Sequence, residues 1–519
     1  MTNVSTELLL SIDCGTQSVR ALVFDLQGEL VGRRQHVFDT YVTPRENWLE
    51  HDADEFWRAT AAVCRALFEE RPDLQARIKG VAVTTQRGSL VLVDEEGAPI
   101  RPFIIWLDQR RATRARKAQM WWRAAFALAR VSDTIDYLSR QAELNWIAEN
   151  EPDALKRAHK VLLVSGWLNY KLTGKFVDAV GSQVAYIPFD FKKQDWAARF
   201  DWKWKAIAAR RDQMPDISPA GAVLGGLTAQ AAAALGLAEG LPVIAAAADK
   251  ACEIAGCGAM SPEIGALSYG TSATVAVTSP RYVEATPLIP PYPALQPGQY
   301  NLEVQIFRGF WMVNWFKQQF GHPETAAALS EGVPVEVLFD RLVAQIPPGS
   351  QGLMLQPYWT PGIRNPGLDA RGAIIGFTDA HTRAHLYRAI LEGLAYSLRE
   401  GKERIEKRTK TPITSLRVSG GGSQSDVAMQ ATADIFNMPA ARPHTFETSG
   451  LGAAIACSVG LGLHADFAAA TAAMTRIGQT FEPDAARAAL YERLYAGVYR
   501  KMYERLQPLY AELHAALDR

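Results

Sequence analysis

LLLSIDCGTQSVRALVFD, residues 8–25, decides the fold. Residues 8–13 are mostly apolar and end on a carboxylate. Residues 14–18 form a turn with a glycine in it, and 19–25 resume an apolar run with partial alternation, so the stretch reads as strand, tight turn, strand. A further turn, LQGE, leads into a third strand over 30–38 and completes a meander. Beyond it the spacing predicts an amphipathic helix over 53–70, then a short buried strand, VAVTT (81–85), with the polar ending QRGS (86–89). Strands followed by helices in this order point to an α/β domain with a mixed sheet.

The signature returns more weakly later. GALSYG (265–270) is a strand, TS (271–272) a turn and ATVAVTS (273–279) a second strand; a helix over 383–404, the strand LRVSGGG (416–422) and a helix from about 424 follow. A strand–turn–strand unit carrying Gly and hydroxyl residues thus opens each half, and duplicated domains are expected. The strand VIAAAA (243–248) ends on Asp249, which places the junction near 250, with domains 1–250 and 251–519. The proline-rich stretch 280–298 reads as an ordered surface loop of the second half.

At 519 residues the chain exceeds one ordinary core. Its net charge of zero provides no overall field for nucleic acid or an anionic membrane. The densest basic stretch, 110–117, alternates with Ala and Thr and is expected to be a solvated helix face. Five scattered cysteines, without metal-site spacing, fit buried thiols in a reducing compartment. The alanine-rich stretch 231–260 is broken by Glu239, Asp249, Lys250 and Glu253, so it falls short of the ~20 apolar residues a membrane span needs. A soluble, cytoplasmic protein is expected.

Four features carry chemistry. In Asp13-Cys14-Gly15-Thr16-Gln17-Ser18 a glycine turn can aim backbone N–H groups at one spot, the hydroxyls complete a cradle for phosphate oxygens, and Asp13 could hold magnesium through water. The same residues would equally suit an ordinary hairpin. Tyr269-Gly270-Thr271-Ser272 offers a second such turn, so that two cradles could hold a polyphosphate. SGGGSQSD (419–426) sets glycines between a strand and a helix, where a nucleotide can approach closely. Asp249 is a carboxylate at the end of an alanine strand, where burial disfavours an unpaired charge; capping the helix that follows (251–259) is the plain alternative, and both can hold.

In this order the features resemble the FGGY family of carbohydrate kinases, within the group sharing the actin, hexokinase and chaperone-ATPase fold. SIDCGTQSVRALVFD resembles the family's first phosphate motif, AAADKACEIAGCGAM the segment bearing its catalytic aspartate, ALSYGTSATVAV its second phosphate motif and RVSGGGSQSDVAMQATADI its adenosine motif. RGAIIGFTDAHTRAHLYRAILEG, WLEHDADEFW and TTQRGSLVLVDEEGAPIRPFIIWLDQR also look like family stretches, so the likeness runs from about residue 8 to 465. It implies an α/β fold of two duplicated ribonuclease H-like (actin-like ATPase) domains, each a mixed five-stranded sheet with flanking helices, with an interdomain cleft. It also implies ATP as co-substrate, magnesium as cofactor and a small-molecule sugar or polyol as partner. Neither nucleic acid nor a membrane is expected to bind, and a homodimer is the candidate assembly.

The resemblance assigns roles by position. Asp249 would be the general base. Asp13 would organise magnesium. Gly15, Thr16 and Gln17, then Gly270 and Thr271, would face phosphates, and Gly421 and Gly422 would lie by adenosine. Arg87, Trp106 and Asp108, with Asp249, would touch the acceptor. Arg gives forked donors to vicinal hydroxyls, Asp accepts from them and an indole face covers sugar C–H edges; a surface ion pair for Arg87 and core packing for Trp106 are the plain alternatives. The chain departs from the pattern at three places. Gly88 stands where glycerol kinases carry an acid, Arg87-Gly88-Ser89 where xylulose kinases carry Met-His-Gly, and Glu143 where the family usually has Lys. The first two speak against glycerol and xylulose, and the small Gly88 leaves room for a larger acceptor. A sugar and ATP sensor of the same fold, without useful turnover, is one rival, countered by retention of Asp249. A chaperone-like ATPase is the other, countered by the helical ending (484–517) where a peptide-binding β-domain should follow.

Overall fold

All seven residues of strand β1 (Leu8–Cys14) are buried, and nearly all of β2 (Ser18–Asp25), because helices cover both faces of their sheet. In this computed structural model, which describes residues 7–38, 42–362 and 366–517, Leu8, Leu10 and Ile12 pack with Phe56, Val63 and Leu67 of the helix Ala53–Glu70. On the opposite face Leu22 and Phe24 meet Gly450 of the helix Thr448–Gly460. Cover on both sides is why these strands read as apolar runs with little alternation. The helix Ala53–Glu70 starts where Asp52 accepts the Asp54 N–H, with Asp54 and Glu55 favourably placed in its positive first turn.

Four more strands complete the first sheet: β3 (Leu30–Val37), β4 (Ile78–Thr85), β5 (Val223–Gly226) and β6 (Pro242–Ile244), in the order β5-β6-β4-β1-β2-β3. Pairing is antiparallel along β1-β2-β3, parallel along β1-β4-β6 and antiparallel again at β5. The second half repeats this plan with β7 (Ile264–Tyr269), β8 (Ala273–Ser279), β9 (Tyr300–Ile306), β10 (Ser415–Ser419), β11 (Ala440–Pro443) and β12 (Ile477–Phe481), in the order β9-β8-β7-β10-β11-β12. Here too the pair at the opening turn, β7-β8, is antiparallel, β7-β10-β11 is parallel, and β12 closes antiparallel. Six strands of the second sheet thus repeat the order of the first, and both sheets extend past the expected five strands.

The chain divides into two units. The first holds the described residues up to Gly256 together with Tyr292–Tyr300 and Glu447–Thr475; the second holds the remainder. A single cut near 250 misses both returning segments. Glu447–Thr475 belongs to the first unit because its helix meets the helix Asp249–Gly256 through glycines: a β-carbon on Gly256 would stand 2.0 Å from the Thr448 carbonyl oxygen. Element ends also differ from the sequence reading. The alanine run leaves the sheet after Ile244, the helix predicted over 383–404 continues to Thr409, and a 3₁₀ turn (Gly421–Gln424) precedes the helix Asp426–Phe436. No helix among the described residues is long and apolar enough to cross a membrane.

Candidate active site

Asp13 lies at the end of β1 opposite Arg20 of β2, whose guanidinium reaches its carboxylate at 3.0 Å. Arg20 also lies 3.6 Å from Glu447, which pairs with Arg33 at 2.7 Å. Burial pushes the Asp13 carboxyl up to about 6; Arg20 opposes this, while the charges of Asp249 and Glu447 add to it. The turn after Asp13 is closed by the Gly15 N–H donating to the Ser18 carbonyl at 3.0 Å, and it leaves Gln17 exposed at its tip.

Asp249 is the first residue of its helix. Cys252 N–H donates to the Ala248 carbonyl, so Ala248 occupies the capping position, and the Asp249 carboxylate accepts the neighbouring Lys250 N–H at 2.7 Å. Its position in the positive first turn favours a charge there. Burial nevertheless raises its pKa, against the pull of Arg87 and Lys250; Lys250 itself pairs with Glu253 at 2.7 Å. Arg87 rests over the ring of Tyr292, 5.2 Å from its centroid. The first unit therefore brings together Asp13, Asp249 and Arg87, and adds Tyr292 from the proline-rich loop.

Trp106 joins the same site through hydrogen bonds. Its indole N–H donates to Thr16 Oγ1 at 2.9 Å, Thr16 donates to Gln86 Oε1 at 3.2 Å, and Ser89 Oγ accepts the Trp106 backbone N–H at 3.0 Å. To donate to a phosphate oxygen, the Thr16 hydroxyl would have to leave Gln86. Gly88 has φ of +76°, and a β-carbon there would stand 3.2 Å from Trp106 Cβ. The glycine is thus required by the backbone, and beyond its chain neighbours Trp106 Cβ is the one atom among the described residues that a β-carbon there would approach within 4 Å.

Asp108 is placed differently from the expectation. Both its oxygens accept from the Arg110 guanidinium, and it also takes the N–H groups of Leu49 and Arg110. Arg110, in turn, lies between the rings of Trp48 and Trp146, 4.1 and 4.8 Å from their centroids, and pairs with Glu50 at 2.8 Å. Asp108 and Arg110 are 2% and 1% exposed in their side chains, so Asp108 holds this pair together and its carboxylate is not presented to an acceptor. The basic stretch is corrected with it: 110–119 is not helical, the next helix begins at Met120, and Arg110 is buried, not solvated.

In the second unit the turn Gly270–Ser272 abuts the start of the helix Trp311–Phe320: the Phe310 N–H donates to the Gly270 carbonyl at 3.0 Å and the Trp311 N–H to the Thr271 carbonyl at 3.3 Å. Phe310 also stacks on Tyr269 at 4.5 Å and fills the space a β-carbon on Gly422 would need, 2.2 Å from its ring. Gly421 faces open space. Phe310 and Trp311 thereby gather Gly270, Thr271, Gly421 and Gly422 into one region of the second unit. Among the described residues no three acidic, His or Cys side chains are grouped to hold a metal.

Sequence reasoning missed Gln86, Tyr292 and Glu447. QRGS was on view as a polar strand ending, but Tyr292 and Glu447 reach the site only because distant segments return to the first unit.

Duplicated mixed sheets with a glycine turn at the head of each define an actin-like ATPase fold built for phosphoryl transfer. The model of the FGGY family of carbohydrate kinases, N-terminal domain, matches residues 8–256, and that of the C-terminal domain matches 265–461. The chain belongs to the FGGY family of carbohydrate kinases. It is 28% identical to a xylulose kinase of Lactococcus lactis, covering 96% of each chain, and 29% identical to a glycerol kinase of Dechloromonas aromatica, covering 97% of this chain and 99% of that one. Among solved structures, the xylulose kinase from Rhodospirillum rubrum superposes with a TM-score of 0.79 at 26% identity over 97% of this chain and all of that one.

Proposed function

We propose that the chain transfers the γ-phosphoryl group of ATP to a hydroxyl of a sugar or polyol, with Asp249 as general base. The observation that carries this is Asp249 itself: a half-buried residue at a helix start, with its pKa raised by burial and with Arg87 close enough for its charge to be felt. A hydroxyl is a poor nucleophile at neutral pH and loses its proton as the bond to phosphorus forms. Raising the aspartate pKa brings it closer to the proton it must take, while the charges of Arg87 and Lys250 oppose the rise. Arg87 and Trp106 orient the acceptor; Asp108 supports that wall from behind.

Gly15, Gln17 and the Thr16 backbone N–H face phosphates from the first turn, Gly270 and Thr271 from the second, and Gly421 and Gly422 flank adenosine. Magnesium fits Asp13: one carboxylate oxygen takes Arg20, the other accepts no hydrogen bond among the described residues, and the charges of Asp249 and Glu447 leave the locality rich in acid. A single carboxylate suits a cation that keeps most of its waters. With Asp13 to hold it, it would supply positive charge against the phosphates. A cytoplasmic setting, where ATP is at hand, accords with five free, buried cysteines.

The test is a panel of sugars and polyols, xylulose, glycerol and gluconate among them, offered with ATP and magnesium while ADP is followed. Acceptor-dependent ADP release supports the reading. Saturable acceptor binding with no ADP above background would make the chain a sensor instead.

A further inference from the structure

A closed circuit of hydrogen bonds links the wall that holds Trp106 to the turn that follows Asp13. The indole N–H donates to Thr16 Oγ1 (2.9 Å) and Thr16 donates to Gln86 Oε1 (3.2 Å); Ser89 Oγ donates to the same oxygen (3.3 Å) and accepts the Trp106 backbone N–H (3.0 Å). The circuit starts and ends on Trp106. At its centre Gln86 is 3% exposed and Ser89 is fully buried.

A threonine hydroxyl has one proton and two lone pairs, and an amide carbonyl has two lone pairs. Thr16 gives its proton to Gln86 and takes the indole on one lone pair, and both lone pairs of the Gln86 carbonyl are filled by hydroxyls. The amide orientation follows from its other end, where Nε2 faces the Gly15 carbonyl at 3.5 Å, a group that can only accept. The Gln86 backbone N–H also holds the Cys14 carbonyl at 2.9 Å. One residue thus fixes the Thr16 rotamer, the indole edge and the base of the turn.

We propose that Gln86 is a positioning residue: through Thr16 and Ser89 it sets the Trp106 indole in place before the acceptor arrives, and it touches neither substrate. Removing its carbonyl frees the Thr16 proton to turn elsewhere and leaves the indole without a fixed partner. The proposal rests on the reading of Trp106 as an acceptor contact.

The experiment has two arms. In the acceptor-free enzyme labelled with ¹⁵N at tryptophan indoles, the Trp106 signal is assigned by its loss in Trp106→Phe. Its Nε1–H should exchange roughly threefold to tenfold faster in Gln86→Leu and in Thr16→Val, as the loss of one net hydrogen bond implies, and stay protected in Thr16→Ser. Unchanged protection in Gln86→Leu would overturn the proposal. With an acceptor found by the panel, Gln86→Leu should raise the acceptor KM by a similar factor while the ATP KM stays within about twofold, and the Gln86→Leu/Thr16→Val pair should be no worse than its worse single. An equal rise in the ATP KM, or additive effects, would also overturn it. If Asp249→Asn keeps full turnover, the catalytic reading fails while the indole protection still judges Gln86.

Discussion

A β-carbon on Gly452 would stand 2.0 Å from the carbonyl oxygen of Cys252, so the helix that begins at Asp249 lies directly on the backbone of the helix Thr448–Gly460. The contact reaches across some two hundred residues of chain and leaves no space for even a methyl group. It fixes the height of the Asp249 helix against the sheet. Gly452→Ala must push the two helices apart, at the roughly 1–3 kcal/mol of an overpacked core. The expected outcome is a lowered Tm together with a lowered kcat and little change in ATP affinity, checked by thermal melts and initial rates. A variant as stable and as active as the parent would show that the helix position is set elsewhere.

Asp108→Ala should damage the fold more than the acceptor site. Removing one partner of a buried ion pair leaves the other charge uncompensated, at a cost of about 3–5 kcal/mol. Arg110 would be left with Glu50 alone among its carboxylates, between two tryptophans. Urea unfolding should show the loss. If stability holds and only the acceptor KM rises, Asp108 contacts the acceptor after all.

Arg87→Ala should raise the acceptor KM far more than the ATP KM, and it should move the pH profile. As the proposed base, Asp249 must be ionised to act, so activity should fall as pH drops through its pKa. Burial already lifts that pKa above the usual aspartate value, and the Arg87 charge holds it down. Without Arg87 the acid limb of kcat should shift to higher pH. A limb that stays in place or moves to lower pH contradicts the electrostatic link between the two residues.

Glu143 provides a pH test of stability. Burial pushes its carboxyl up to about 8, and one of its oxygens is buried without a hydrogen-bond partner. Because the folded-state value is raised, the contribution of this group is complete below the unfolded value near 4.5 and is lost as pH climbs through about 8. Glu143→Gln should flatten the decline in stability between these limits and gain most above pH 8. Parallel stability curves for variant and parent across this range would contradict it.

The parts of the fold legible in the sequence were those with local causes. The strand–turn–strand units at 8–25 and 265–279 announce themselves through apolar runs broken at glycine, and the structure repeats them as β1-β2 and β7-β8. Asp249 stood out because a charge at the end of an alanine run needs a reason. What stayed hidden depends on distant segments meeting. Arg110 looked like a solvated cation because nothing nearby in sequence announces Trp48, Trp146 and Glu50 around it. Tyr292 lies two hundred residues from Arg87, in a loop whose prolines reveal order but not destination. Asp108 carried the right chemistry for an acceptor contact, and only the geometry shows that Arg110 already occupies it.

The central claim is that Asp249 removes the acceptor proton, and Asp249→Asn tests it most directly. Asn keeps the size of the side chain and an oxygen for the Lys250 N–H, and the capping position belongs to Ala248, so the fold and both binding constants should survive. Asn does not accept the proton. With an acceptor established by the panel, kcat should drop about 100- to 10,000-fold, roughly 3–5 kcal/mol of barrier. A folded Asp249→Asn protein that binds both substrates and turns over near the parental kcat would contradict the account.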